Sequence, residues 1–230
     1  MVHGWPGSIY EFYKVIPMLT TPIDGIVFDV VAPSIPGYGF SDAPNKIGFN
    51  QIAASQLFAD LMERLNYDKY VYQGGDWGSI IGQLLVRMYP ERIIGFHSNF
   101  IAPPASTKLD NIIQLSAILA PKWIVGNEDA HKIAISKFSW LLEEMGYMWE
   151  QSTKPDTIAA ALTDSPVGLA AYILEKFSTW AEHTQFKDGK GLTNDEVLTN
   201  IMIYWLSGNI GSSIRFYKSV FSAFIFTFFN

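Results

Sequence analysis

The sequence predicts an α/β protein: a parallel sheet with helices on its faces, followed by a long helical insertion. Three observations carry that expectation. Strand-like and helix-like runs alternate through the first hundred residues, and the alternation stops after Pro103 and Pro104. The third is a single strand-to-helix junction, GGDWG at residues 74–78, in which two glycines flank an aspartate.

Taken in order, GIVFDVVAP (25–33) is β-branched and ends in proline, which reads as a buried strand running into the loop SIPGYGFSDAP. NQIAASQLFADLMERLN (50–66) places Phe58, Leu61, Met62 and Leu65 on one helical stripe behind an Asn50 N-cap. YDKYVYQGG is a short strand, SIIGQLLVRMYP a helix closed by Pro90, and ERIIGFHSNF a further strand. Such alternation implies parallel pairing, because the crossover helices must cover the sheet. Beyond it only helices are expected: Ser165 caps VGLAAYILEKF behind Pro166, and TNDE (193–196) is a capping box leading into VLTNIMIYWL. The resulting division is an α/β part over 1–104, a helical insertion over 105–219 and a divergent apolar tail over 220–230.

Composition narrows the function classes. A net charge of −6 offers no basic field for a phosphate backbone, so nucleic acid is not an expected partner. There is no cysteine, and the four histidines show no metal-ligand spacing, so neither a metal nor a thiolate nucleophile is expected. No apolar run reaches the ~20 residues that span a bilayer, and the first residues do not read as a signal peptide. Small organic substrates fit this chain better.

Taken alone, GGDWG reads as an ordinary helix N-cap. It also fits the G-x-nucleophile-x-G elbow, where Gly74 and Gly78 leave room for a strained turn and the following helix directs its N-H groups at Asp76, holding it ionised. HGWPGS (3–8) supports the second reading, since an HG-x-P loop supplies a backbone N-H, here from Trp5, to an oxyanion hole completed by the N-H of Trp77.

HGWPGS, PSIPGYGFSDAP (33–44) and QGGDWGSIIG (73–82) together resemble the α/β-hydrolase-fold epoxide hydrolases, in the microsomal branch that includes the insect juvenile hormone epoxide hydrolases. Residues 146–180 and IRFYKS (214–219) resemble that branch's cap, so the likeness spans roughly 1–219. It implies the α/β-hydrolase fold and hydrolysis of lipophilic epoxides to vicinal diols, in detoxification or juvenile hormone catabolism. Asp76 would be the nucleophile forming an ester, with Tyr147 and Tyr217 donating to the epoxide oxygen and the Trp5 and Trp77 N-H groups forming the oxyanion hole. His3, Gly4, Pro6, Gly74 and Gly78 would shape the site, His97 would be a pocket-wall or core residue, and no cofactor is implied.

The resemblance also implies an endoplasmic reticulum membrane location through an N-terminal anchor that this sequence is expected to lack. A histidine and acidic partner to hydrolyse the ester are expected to be missing too, so that the chain reads as truncated at both ends, with the last strands of the sheet absent, and turnover as negligible. An exposed sheet edge and an exposed inner cap surface should then make it poorly soluble. Competing readings are a catalytically inactive ligand-binding fragment and a haloalkane dehalogenase, which shares the fold and the aspartate but needs no tyrosine pair.

Overall fold

Parallel pairing emerges where the β-branched runs predict it. In the computed structural model, which describes residues 1–100, 132, 135–136, 139–140, 142–181 and 191–218, strand β1 (Tyr70–Gly74) lies parallel to β2 (Ile93–Ser98). The pairing runs from Tyr70 opposite Ile93 to Gly74 opposite Ser98. Val2 adds a single parallel bridge to Gly74, its N-H donating to the Gln73 carbonyl at 2.9 Å. That contact holds the start of the chain beside the end of β1.

Helix α1 (Gln51–Arg64) begins where its cap predicts, with the Asn50 side chain accepting from the Ala53 N-H. Its buried face is Ala54, Ser55, Phe58 and Ala59, with Leu61 and Met62 at the margin. Leu65, expected on the stripe, is the C-cap residue and is exposed, because the helix ends before it can turn inward. Helix α2 (Trp77–Met88) packs on both β1 and α1, burying Trp77, Ile81 and Leu85, and stops before Pro90.

The expected strand over 25–33 is a correction. Among the described residues it enters no ladder; only Ile23 and Ile26 form an isolated antiparallel bridge, and Val27 and Phe28 are exposed. A strand is defined by a hydrogen-bonded neighbour along its length, and here the backbone bonds are scattered: the Phe28 N-H donates to the Leu19 carbonyl at 3.0 Å and the Met1 amino group to the Val31 carbonyl at 2.7 Å.

The helical part contributes α3 (Gly146–Thr153), α4 (Pro155–Asp164), α5 (Pro166–Trp180), α6 (Asn194–Ser207) and α7 (Ile210–Arg215). Each predicted cap forms: Ser165 accepts from the Gly168 N-H, and Thr193 and Glu196 close a reciprocal capping box. Contrary to the expectation of an exposed inner surface, Leu169, Ile173, Tyr204, Ile210, Ile214 and Tyr217 are all buried. On the two strands Val71, Ile94 and Phe96 are exposed. His131, His183, the Pro103–Pro104 boundary and the tail over 220–230 lie outside the described residues. No single helix among the described residues is long and apolar enough to cross a membrane.

Candidate active site

Between β1 and α2 the chain turns so sharply that Asp76 takes φ 49° and ψ −119°, a region that favours glycine and costs on the order of 1–3 kcal/mol for other residues. The flanking glycines explain how the turn is accommodated. A Cβ on Gly78 would run into the backbone oxygens of Val2 and His3, and one on Gly74 would run into the backbone of Gly78. Gly4 is constrained in the same way, since a Cβ there would strike the Asp76 carboxyl.

Asp76 stands at the N-cap position of α2, yet its side chain makes no capping bond. Its Oδ1 instead accepts from the backbone N-H of Trp5, 71 positions away in sequence, at 2.8 Å. The adjacent Trp77 N-H also acts on the carboxyl, favouring its charged form. Side-chain capping therefore fails as the account of Asp76, and the Trp5 and Trp77 N-H groups both favour its charged form. Ser79, three residues further on, is fully buried and donates to the Gly74 carbonyl, so it does not compete as a nucleophile.

Burial pushes Asp76 up to about 6, while the two N-H donors pull it back down. The expectation of a strongly ionised aspartate is therefore too simple. Desolvation outweighs the donors, leaving a carboxylate at neutral pH that is only modestly acidic and so more nucleophilic than an ordinary one.

His3 braces the loop rather than titrating. Its Nε2 accepts from the Ile35 N-H at 3.1 Å, so Nδ1 carries the proton and donates to the Gly4 carbonyl at 3.0 Å. Complete burial lowers it to about 4, against a smaller upward effect of the Gly4 hydrogen bond. We expect ¹⁵N NMR to show a neutral, Nδ1-protonated His3 throughout pH 5–8; a titration near pH 6.5 would mean the loop is open. His97, expected in the pocket wall or core, pairs in register with Gln73 and is exposed, lining a cavity beside the sheet together with Gln73 and Asn99.

Above Asp76 the helical part supplies an aromatic roof. The Tyr147 ring stacks on Trp5 at 5.4 Å with planes 5° apart, and Tyr217 stands edge-on to Trp77 at 4.6 Å. The rings of Tyr147 and Tyr217 are 5.8 Å apart. Tyr217 is almost fully buried, and its hydroxyl makes no hydrogen bond within ordinary distance among the described residues. A buried hydroxyl left this way costs ~1–3 kcal/mol, which a ligand acceptor would offset. Burial first, then the Asp76 charge, raises both phenols well above their usual range.

Thus Asp76, Trp5, Trp77, Tyr147 and Tyr217 meet in one place, with His3, Gly4, Pro6, Gly74 and Gly78 beneath or beside them. Several contributors were not legible in the sequence. Asn200 donates to the Pro6 carbonyl at 2.6 Å and Tyr204 to the Gly7 carbonyl at 2.7 Å, clamping the loop from α6. Glu11 exposes part of its surface, but its carboxyl presses against Gly7 and is raised to about 8, first by burial and then by Asp76. Tyr172 and Trp180 complete the aromatic wall around Trp5 at 5.9 and 6.4 Å. Spacing of four and eight on α5 places Tyr172, Lys176 and Trp180 on one face, a signal that alone reads as ordinary packing.

Comparison with known proteins agrees with this arrangement. The chain is 47% identical over 233 residues to juvenile hormone epoxide hydrolase 1 of Ctenocephalides felis, covering 96% of this chain and 49% of that protein. It is 47% identical over 234 residues to epoxide hydrolase 1 of Sus scrofa, covering 95% and 50% respectively. The crystal structure of juvenile hormone epoxide hydrolase from Bombyx mori superposes with a TM-score of 0.84 at 43% identity, over 99% of this chain and 55% of that one. The chain spans about half the length of the curated relatives it matches. A family model describing the alpha/beta hydrolase fold matches residues 1–209, so the chain, with its aspartate at the elbow and its similarity to epoxide hydrolases, belongs to the α/β-hydrolase fold family.

Proposed function

We propose that this chain carries the ester-forming site of an epoxide hydrolase that acts on lipophilic epoxides. The observation that carries the reading is the pair of phenols closing over a hydrogen-bonded aspartate, one of them with a buried hydroxyl that makes no hydrogen bond within ordinary distance among the described residues and neighbours the other phenol. In this reading an Asp76 oxygen attacks an epoxide carbon, the C–O bond breaks, and Tyr147 and Tyr217 donate to the departing oxygen. The aromatic wall of Trp5, Trp77, Tyr172 and Trp180 suits an apolar substrate. Once the other oxygen has formed the ester, the oxygen that accepts from the Trp5 N-H is its carbonyl oxygen, where the Trp5 and Trp77 N-H groups stabilise the oxyanion of the hydrolytic step. The same reading carries an association with the endoplasmic reticulum membrane, supported by the resemblance alone.

Hydrolysis of the ester needs a water activated by a base. None of the described histidines is placed for it: both nitrogens of His3 are engaged, and His97 lies exposed on β2.

The test is intact-protein mass after incubation with styrene oxide. One adduct of the epoxide's mass should appear, and Asp76→Ala should abolish it. Since attack requires the carboxylate, and burial places Asp76 at about 6, the rate of adduct formation should rise between pH 5 and 7 with a midpoint near that value. An adduct that survives in Asp76→Ala, or one that forms fastest at pH 5, would overturn the reading.

A further inference from the structure

Lys176 is out of place for a lysine. It lies on α5 with only 4% of its surface exposed, facing the site rather than the solvent. Lysine is seldom buried this deeply without a partner, and its partner here is Glu175, the adjacent residue, whose side chain is 56% exposed. The ammonium sits inside an aromatic cage: Nζ is 5.0 Å from the ring centre of Tyr147, 5.4 Å from that of Trp180 and 5.8 Å from that of Tyr172. The cage is itself anchored, with Trp180 Nε1 donating to Glu144 at 3.1 Å and Gln151 Nε2 donating to the Tyr172 hydroxyl at 3.4 Å. Three ring faces can hold a cation through their quadrupoles, but surface exposure would hold it at no cost at all. A buried charge directed at one of the two phenols therefore calls for a functional account.

We propose that Lys176 is a positioning residue that makes Tyr147 a stronger donor to the departing epoxide oxygen. The inference rests on the reading of Asp76 and the tyrosines given above. As the Asp76 oxygen bonds to the epoxide carbon, the electron pair of the breaking C–O bond moves onto the epoxide oxygen. That oxygen takes the Tyr147 proton, negative charge develops on the phenol, and the tyrosinate later recovers a proton from solvent water. The ammonium interacts favourably with the neutral ring and far more strongly with a negatively charged one. It therefore stabilises the state that follows proton transfer more than the one that precedes it, which is what speeds the step. Asp76 acts in the opposite direction on Tyr147, since its charge raises the phenol further. As that charge is consumed in the ester, the field of Lys176 is left unopposed. Tyr217, on the other side, has no such cation within the contacts described, so the two phenols are inequivalent and Tyr147 is the one that delivers the proton.

The experiment measures single-turnover ester formation on Asp76 with styrene oxide, by quenching and intact mass, as a function of epoxide concentration. Lys176→Met should slow the saturated rate by roughly 10- to 100-fold while leaving the half-saturating concentration within about twofold, and Lys176→Arg should restore most of it. In a Tyr147→Phe background the Lys176→Met change should have little further effect, because the group it acts through is gone. Equal slowing in both backgrounds, or no slowing in either, would overturn the proposal. Should Lys176→Met fail to fold, Glu175→Gln keeps the lysine and alters only a largely exposed counter-ion; ester formation should then be faster, and an unchanged or slower rate counts against the proposal. If the unaltered chain forms no adduct at all, the epoxide reading falls and this inference with it. If the adduct forms on Asp76 at a rate indifferent to Lys176, this inference alone fails.

Discussion

Replacing Tyr147 and Tyr217 together with phenylalanine is expected to slow ester formation on Asp76 by roughly 10²- to 10⁴-fold, the span that a positioned general acid contributes. The change deletes two oxygens and keeps both rings, so Trp5 retains its stacking partner and Trp77 its edge-on contact. Stability offers an internal control. Because the Tyr217 hydroxyl is buried with no hydrogen bond within ordinary distance among the described residues, Tyr217→Phe should leave the melting temperature unchanged or raise it slightly. A chain that melts normally and loses the adduct has lost chemistry and not its fold. Quenched-flow mass measurement of adduct formation decides the matter; a double variant within threefold of the unaltered rate would remove the tyrosines from the mechanism.

Gly78→Ala should be the most destabilising small substitution near the site, at about 3 kcal/mol or more. The new methyl would meet backbone, the carbonyl carbon of Val2 at 2.7 Å and the oxygen of His3 at 2.8 Å, and backbone cannot swing aside as a side chain can. Val2 is tied in from both sides, donating to the Gln73 carbonyl at 2.9 Å and accepting from the Gly75 N-H at 3.3 Å. Any retreat therefore loosens the bridge that carries the Trp5 N-H to Asp76. The urea midpoint should fall with its slope preserved, and ester formation should fall with it. By contrast, Gly146→Ala, on a helix where an added Cβ meets nothing, should be neutral or mildly stabilising; equal midpoints for the two variants would show that close approach at Gly78 is not what matters.

Local signals were legible to the extent that local physics makes them. Asn50, Ser165 and the Thr193–Glu196 box start helices where they stand, because a cap needs only the next three residues. The parallel pairing of β1 and β2 follows from the alternation of strand and helix, since the crossover is too long for a hairpin. The run at 25–33 misled for the complementary reason: its composition suits a strand, but strand formation depends on a neighbour that composition does not supply. Leu65 misled by one residue, the distance between the last turn of a helix and its end.

The sequence by itself determined the elbow, with glycines spaced around Asp76, and the set of residue types gathered about it. Tertiary structure alone decided what those residues experience. Trp5 reaches Asp76 across 71 residues, and Asn200 and Tyr204 clamp the same loop from nearly 200 residues away. Burial set against hydrogen bonding decides where Asp76 titrates, and the fold of α5 turns a stripe that reads as packing into a cage holding Lys176 against Tyr147. The physical reason is one of range. Turn geometry and caps act between chain neighbours, whereas desolvation, charge and aromatic contact depend on distance in space, which the order of residues encodes only through the completed fold.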